Sequence, residues 1–271
     1  MNKLVFFDTE TSGLDKNKHA IIQIAACAVT LPEMEIVDTF EVKIRFSKDN
    51  AAPLALANNV YATQVQGVNQ ELVSLMNQRM LSLPYDDRAE AELLTPEERE
   101  VFFADFDLWD VAAVHPAAAC KRFFAFLNRH ATLMKISKAG KPYNVAVLAG
   151  HNITSFDVPF LQSWQKRLAQ KDGSLSFPPY DFFALDTLQM ALQAKLLMGI
   201  PYPDLKLKTL CQYHGLANEQ THDALDDIYL TVALARALHH KIFVENAISQ
   251  SVTESTLTQG LPDEMKQQIL L

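Results

Sequence analysis

The chain has 271 residues, of which 49% are hydrophobic, and a formal net charge of −8. This length fits one large domain, which we predict to span residues 1–241, with an acidic insertion at about 81–113 and a partly helical tail at 242–271. The negative charge argues against a protein that coats nucleic-acid phosphates nonspecifically, because such proteins are strongly basic. It does not exclude a nucleic-acid enzyme whose bound metal ions supply positive charge locally.

Hydrophobic runs are all much shorter than the roughly 20 residues that span a membrane. Because Met1-Asn2-Lys3 leads directly into the first predicted strand, we expect no secretion signal. Its three cysteines, Cys27, Cys120 and Cys211, are far apart, lie in apolar surroundings and lack the spacing of a metal site. We therefore expect buried thiols in a reducing compartment, and a cytoplasmic protein that contacts no membrane.

The first predicted strand ends in two carboxylates. The apolar run from Leu4 to Phe7 is followed by Asp8 and Glu10, and residues i and i+2 of a strand point to the same face. Two carboxylates held that close repel each other unless a proton or a cation lies between them. A hard divalent cation such as Mg²⁺ or Mn²⁺ suits all-oxygen ligands, although an acidic, solvated strand end explains the pattern equally well.

Strand and helix patterns continue along the chain. The hydrophobic periodicity predicts strands over 20–31 and 36–46 and helices over 51–59, 69–80 and 115–134. A continuous apolar run at 144–149 predicts a strand buried on both faces. It leads into the sequence His151-Asn152-Ile153-Thr154-Ser155-Phe156-Asp157 and a helix to residue 169. A further strand ends near Asp186, and helices are predicted over 187–198, over 205–214 and from His222 onward.

Residues 81–113 are unusually acidic and carry interleaved aromatic side chains. Thr95-Pro96-Glu97-Glu98 predicts a helix start, with Thr95 as the N-cap and Glu98 at the third position. We interpret the segment as a solvated helical insertion whose aromatic residues pack back on the body. A partner-binding or substrate-gating loop is the alternative.

Three motifs at element ends resemble those of DnaQ-like 3′→5′ exonucleases of the DEDDh type, which have the RNase H-like fold. The first, Asp-x-Glu-Thr-x-Gly-Leu, is matched by Asp8, Glu10, Thr11, Gly13 and Leu14. The second is matched by His151, Asn152, Phe156 and Asp157, and the third by His222, Ala224 and Asp227. All three occur in order, in the right strand and helix contexts, so the resemblance over residues 3–240 is strongly specific.

Two features depart from the family pattern. The three residues between Asn152 and Phe156 make a longer spacer than in the bacterial proofreading subunit and are more like the TREX group. The insertion at 81–113 has no counterpart in the family pattern.

The resemblance implies an α/β fold with a mixed five-stranded sheet flanked by helices. It implies two divalent cations, Mg²⁺ or Mn²⁺, held by Asp8, Glu10, Asp157 and Asp227, with Asp8 bridging both. Helical geometry alone does not select Asp227 over its acidic neighbours, so this choice rests on the family pattern. His222 would be the general base, a role suited to an unperturbed pKa of about 6.5. The resemblance also implies substrate contacts at Thr9, Thr11 and Leu14, with packing against a helix as the alternative role of Leu14. Asn152 is expected to bind substrate or to hold the turn, and His151 is expected to support the loop.

The expected activity is metal-dependent 3′→5′ hydrolysis of single-stranded or frayed DNA, releasing nucleoside monophosphates. The expected partner is therefore a nucleic acid with a free 3′ end, with DNA favoured over RNA. Two alternatives stay open. One is a 3′→5′ exoribonuclease that trims RNA or degrades short oligomers; the other is a proofreading or partner-binding module of a DNA polymerase complex, which would use 81–113 or the tail.

Overall fold

The computed structural model describes residues 2–59, 61–62, 69–84, 92–175, 178–216 and 224–245. The strands are β1 (Lys3–Thr11), β2 (Ile21–Thr30), β3 (Ile36–Lys43), β4 (Leu133–Ile136), β5 (Pro142–Gly150) and β6 (Tyr180–Asp186). The helices are α1 (Pro53–Ala57), α2 (Gln70–Ser82), α3 (Pro96–Phe102), α4 (Phe106–Ala112), α5 (Pro116–Arg129), α6 (Asp157–Ala169), α7 (Thr187–Leu197), α8 (Leu207–Tyr213) and α9 (Ala224–His239). A π-helical turn, His240–Glu245, follows α9, and nearly all of the predicted tail lies outside the described residues.

The strands form one mixed sheet in the order β3-β2-β1-β5-β4, and β6 also pairs with β5. The first three strands make an antiparallel meander, whereas β5 lies parallel to both β1 and β6. Phe6 pairs with Ala149, and Gly150 pairs with Asp186. The carboxyl ends of the three parallel strands therefore meet at one edge of the sheet, where sites of open α/β folds gather. The predicted RNase H-like α/β fold is confirmed.

Within the described residues, the sheet has six strands rather than the five that were predicted. The helix predicted over 115–134 was wrong at its end: it stops at Arg129, and Leu133–Ile136 form β4, antiparallel to β5. Four residues are too few for a clear period-two pattern. Both Met134 and Ile136 of β4 are also exposed, so their hydrophobicity does not mark a buried face.

Side chains of β1 alternate between the two faces of the sheet. Val5 and Phe7 belong to a core cluster with residues of α5 and α6. Leu4 and Phe6 belong to a different cluster with residues of α9. Each face of β1 is thus covered by helices, which explains why the strand reads as a continuous apolar run.

The described part of the insertion contains helices α3 and α4, and α3 begins as predicted. Thr95 Oγ1 accepts a hydrogen bond from the Glu98 N–H at 3.2 Å, and Glu98 Oε2 accepts one from the Thr95 N–H at 2.8 Å. The aromatic residues of α3 and α4 pack back on the body in a cluster with Phe46 and Tyr61, and Trp109 Nε1–H donates to the Ile44 carbonyl at 3.1 Å. A role of this segment in partner binding stays a prediction.

All three cysteines are buried free thiols, as predicted. Burial raises the pKa of Cys27 and of Cys120 to about 12, so these thiols are protonated at neutral pH. Within the described residues, no helix has the length and hydrophobicity to cross a membrane.

Gly150 marks a close approach between β5 and the loop that follows it. A β-carbon at this position would lie 2.2 Å from Ile153 Cγ2 and 2.9 Å from the Phe7 carbonyl oxygen. We expect Gly150→Ala to lower the free energy of unfolding by about 1–3 kcal/mol, because the added methyl group overpacks the site. Denaturant unfolding measures this change. Gly173→Ala is the control, since its methyl group would meet nothing within 4 Å, and equal stability of both variants would contradict the prediction.

Candidate active site

Asp8 and Glu10 lie at the carboxyl end of β1 and are partly buried. Because strand side chains alternate, both continue the face of Leu4 and Phe6, which α9 covers. Thr9 lies between them and continues the opposite face, toward α6. The two predicted carboxylates thus lie on one face of the sheet, where the carboxyl ends of β1, β5 and β6 meet.

Asp157 begins α6 and is buried, and its carboxylate reaches back to β1. Asp157 Oδ1 accepts hydrogen bonds from the Thr9 N–H at 3.0 Å and from the Thr9 hydroxyl at 2.5 Å. Burial raises the pKa of Asp157 to about 7, and the nearby Asp186 carboxylate adds to this rise, while the hydrogen bonds from Thr9 act in the opposite direction. The first and second motifs therefore meet through Thr9 and Asp157.

Asp227 lies in the first turn of α9 and is buried, whereas its neighbour Asp226 is exposed. On the helix, Asp227 shares a stripe with Ala224 and Thr231, which are also buried. Ala224 packs in the same cluster as Leu4 and Phe6 of β1, so this stripe faces the side of the sheet that carries Asp8 and Glu10. His222, the predicted general base, lies outside the described residues.

Asp186, at the end of β6, fixes the loop between β5 and α6. Its Oδ1 accepts from the N–H groups of Asn152 at 2.8 Å and Leu188 at 3.0 Å. Its Oδ2 accepts from the N–H of Thr154 at 3.1 Å and from the Thr154 hydroxyl at 2.6 Å. The sequence analysis did not predict this role. An aspartate between a strand and a helix is an N-cap signal, but its contacts with the loop are 32 and 34 residues away.

His151 supports the same loop, as predicted. Its Nε2 lies 3.1 Å from the Leu205 carbonyl and its Nδ1 lies 2.9 Å from the Thr187 hydroxyl. Burial lowers the pKa of His151, against the opposing effect of Asp186, so the neutral ring is favoured. Because a carbonyl only accepts, Nε2 carries the proton, and Nδ1 faces the Thr187 hydroxyl.

The predicted substrate-contact residues have different environments. Thr9 and Thr11 are buried, and the Thr9 N–H is already engaged with Asp157. Asn152 has a positive φ of 58° and holds the turn through its backbone. Leu14 has 71% of its surface exposed, so it does not pack in the core.

The carboxylates at this edge provide only oxygen donors, which suits a hard divalent cation. In the described part of the chain, however, no group of three or more His, Cys, Asp or Glu side chains has the arrangement of a metal site. Carboxylates repel one another when no cation lies between them. The donor chemistry of these carboxylates therefore fits a divalent ion.

A family model described as an exonuclease, RNase_T, matches residues 5–58 and 131–235, which make up more than half of the chain. The chain belongs to this exonuclease family. The matched segments contain all three motifs, which confirms the predicted resemblance. The stretch that the exonuclease model leaves unmatched includes the insertion at 81–113. Among curated proteins, no sequence matches this chain significantly.

Solved structures of exonuclease I are similar to this chain in fold. Escherichia coli exonuclease I in complex with a dT13 oligonucleotide has 17% identity and a TM-score of 0.55, over 94% of this chain and 44% of that chain. The zinc-bound complex of the same enzyme with single-stranded DNA has 17% identity and a TM-score of 0.56, over 97% and 46%. Exonuclease I from Methylocaldum szegediense has 16% identity and a TM-score of 0.54, over 90% and 41%. The chain thus spans less than half the length of these proteins.

Proposed function

We propose that the chain is a metal-dependent 3′→5′ exonuclease that acts on single-stranded or frayed DNA and releases nucleoside monophosphates. The observation that supports this most is the pair of hydrogen bonds from Thr9 to Asp157. They join residues 148 positions apart at the strand end that carries Asp8 and Glu10. Carboxylates from distant motifs therefore gather at one edge of the sheet.

In this proposal Asp8, Glu10, Asp157 and Asp227 hold two divalent cations, Mg²⁺ or Mn²⁺. When bound, such ions stabilise negative charge on the attacking and leaving oxygens of a phosphodiester. The four carboxylates balance four positive charges. Thr9 orients Asp157 by its two hydrogen bonds, and Asp157 must lose its proton to act as a ligand.

We assign removal of a proton from the attacking water to His222, since an imidazole titrates near neutral pH. This role rests on the family resemblance. Leu14, which is exposed and follows Glu10 by four residues, is proposed to contact the terminal base, and Thr9, Thr11 and Asn152 are proposed to contact the terminal nucleotide. Apolar side chains that stack on bases recognise single strands without reading their sequence.

DNA is the proposed polymer because the similar exonuclease I structures include complexes with dT13 and dA16 oligonucleotides. The test is digestion of 5′-labelled single- and double-stranded DNA and RNA in Mg²⁺ or Mn²⁺, with the products separated by size. A ladder that shortens from the 3′ end supports the proposal. Internal fragments, or shortening from the 5′ end, would contradict it, and a tenfold preference for RNA would overturn the choice of polymer.

Asp186→Asn should lower the rate of hydrolysis by about 10- to 100-fold, a typical effect of losing a residue that orients a ligand. The amide replaces one acceptor oxygen with an NH₂ group, so N–H donors of the loop lose their partner. We expect the free energy of unfolding to fall by about 1–3 kcal/mol as well. Initial rates and denaturant unfolding measure both effects.

Asp172→Asn is the matched control for Asp186→Asn. Asp172 likewise accepts hydrogen bonds from a backbone N–H and a hydroxyl, both of Ser174, but it is partly buried and pairs with Lys121 of α5 rather than with the loop. Full activity in Asp186→Asn, or equal losses in both variants, would show that Asp186 does not position the loop for catalysis.

A further inference from the structure

Strand β6 carries a bulge with two exposed aromatic side chains. Ala146 pairs with Tyr180, and Leu148 pairs with Ala184, so one residue of β5 faces three of β6. Phe182 and Phe183 lie in this bulge, with 85% and 80% of their surface exposed. Bulges redirect side chains and recur as functional features of sheets, whereas adjacent exposed phenylalanines are costly in water.

The bulge is held by an ion pair between a buried aspartate and a partly exposed lysine. Asp181 is buried, and one of its oxygens accepts the Phe182 N–H at 2.7 Å. Lys135 Nζ of β4 lies 2.7 Å from its other oxygen. Burial disfavours the charged form of Asp181, but the hydrogen bonds from Lys135 and Phe182 outweigh it and hold its pKa below the ordinary value. The two phenylalanines therefore project from an anchored backbone.

The adjoining β4–β5 hairpin adds an aromatic ring and positive charge. Tyr143 is the cross-strand partner of Lys135 and is exposed. Lys138 and Lys141 are exposed in the hairpin turn. Residues 131–156 contain three lysines and no Asp or Glu, in a chain whose net charge is −8. We call Tyr143, Phe182, Phe183, Lys138 and Lys141 the aromatic–lysine surface.

We propose that the aromatic–lysine surface binds the single-stranded part of the nucleic acid whose 3′ end occupies the candidate active site. This inference rests on the proposed function and extends it. Exposed rings provide platforms on which bases stack, and lysines neutralise backbone phosphates. A protein partner that pairs a strand with β6 fits this surface less well. The Phe182 N–H already donates to Asp181 and is therefore not available for pairing with another strand.

The fold sets the length of strand that this surface would need. Phe182 lies four residues before Asp186, which is at the carboxyl end of β6 beside the candidate active site. Four residues correspond to about 13 Å along a strand. Lys141 lies nine residues before Gly150, or about 30 Å. At about 3.4 Å per stacked nucleotide, these spans correspond to roughly four and nine steps between nucleotides, so a strand of about five nucleotides first reaches Phe182 and one of about ten reaches Lys141. Affinity should therefore rise with strand length between about five and ten nucleotides and then level off.

The test is fluorescence anisotropy with 5′-labelled dT4, dT8 and dT12 in EDTA, so that no strand is cut. We expect the double variant Phe182→Ser/Phe183→Ser to weaken dT12 binding by about tenfold or more and to change dT4 binding less than about twofold. Lys138→Gln/Lys141→Gln should reduce the slope of log Kd against log salt by about 1.4, since each phosphate contact on a single strand contributes about 0.7.

Leu196→Ser/Leu197→Ser on α7 is the matched control, because these leucines are 70% and 83% exposed. Thermal unfolding midpoints verify that all variants fold. Equal dT12 binding by the wild-type chain and the phenylalanine variant would overturn the proposal, as would wild-type binding that is no tighter for dT12 than for dT4.

A third outcome would also overturn the proposal. If the wild-type chain dimerises, the phenylalanine variant does not, and dT12 affinity is unchanged, the surface is a contact between copies of the chain. A wild-type chain that shows the expected length dependence but cuts neither DNA nor RNA would support the surface while overturning the proposed function.

Discussion

Asp227→Asn is expected to reduce the rate of DNA hydrolysis by at least about 1,000-fold, on the scale of losing a group that stabilises transition-state charge. Asp226→Asn should keep the rate within about twofold. The two residues are adjacent on α9, but Asp227 is buried on the stripe that faces the sheet, whereas Asp226 is exposed. An amide has nearly the shape of a carboxylate, so the substitution removes charge and metal affinity with little change in packing.

This pair of variants tests whether Asp227 or Asp226 is the metal ligand, because helical periodicity alone did not distinguish them. The measurement is the initial rate on a 5′-labelled single strand in Mg²⁺, with unfolding midpoints as the check on folding. Comparable rates for the two variants would contradict the proposed site. A large loss of hydrolysis rate in Asp226→Asn alone would indicate that the metal ligand lies on the exposed face of α9.

Asp157→Asn should have two opposite effects. The rate of hydrolysis should fall by at least about 1,000-fold, because a carboxylate of the proposed metal site is lost. The metal-free protein should become more stable above pH 7, by about 1–3 kcal/mol of unfolding free energy at pH 8.

The sign of the stability effect follows from the pKa. Burial raises the pKa of Asp157 from 3.8 to about 7 in the folded chain. The folded state therefore holds this proton more tightly, and the stability that the carboxyl group contributes is present below pH 4 and is lost as the pH rises through 7. Asparagine stays neutral, so the variant avoids this loss.

Denaturant unfolding in EDTA at pH 4 and pH 8 measures the effect on stability. The difference in free energy of unfolding between the variant and the wild-type chain should be small at pH 4 and large at pH 8. Adding Mn²⁺ at pH 8 should stabilise the wild-type chain more than the variant, because only the folded wild-type chain keeps all four carboxylates. A variant that is less stable than the wild type at pH 8 would show that Asp157 is not buried in the way the structure describes.

Local sequence signals were reliable where the structure depends on neighbouring residues. The capping box at Thr95 and Glu98 was predicted and is present, because its two hydrogen bonds join residues three positions apart. The strand that ends in Asp8 and Glu10 was likewise predicted from its apolar run. By contrast, β4 was missed, since only its pairing with β5 makes it a strand.

The amino-acid sequence by itself determined the kinds of chemical group at the site, the order of the motifs and the positions of most helices and strands, because these depend on residue type and short spacing. Tertiary structure decided which groups meet. Thr9 and Asp157 come together across 148 residues, and Asp186 fixes a loop that belongs to a different strand. The raised pKa of Asp157 is also a consequence of the tertiary structure, because it results from burial. Desolvation and long-range hydrogen bonds depend on how distant segments pack, which no local pattern records.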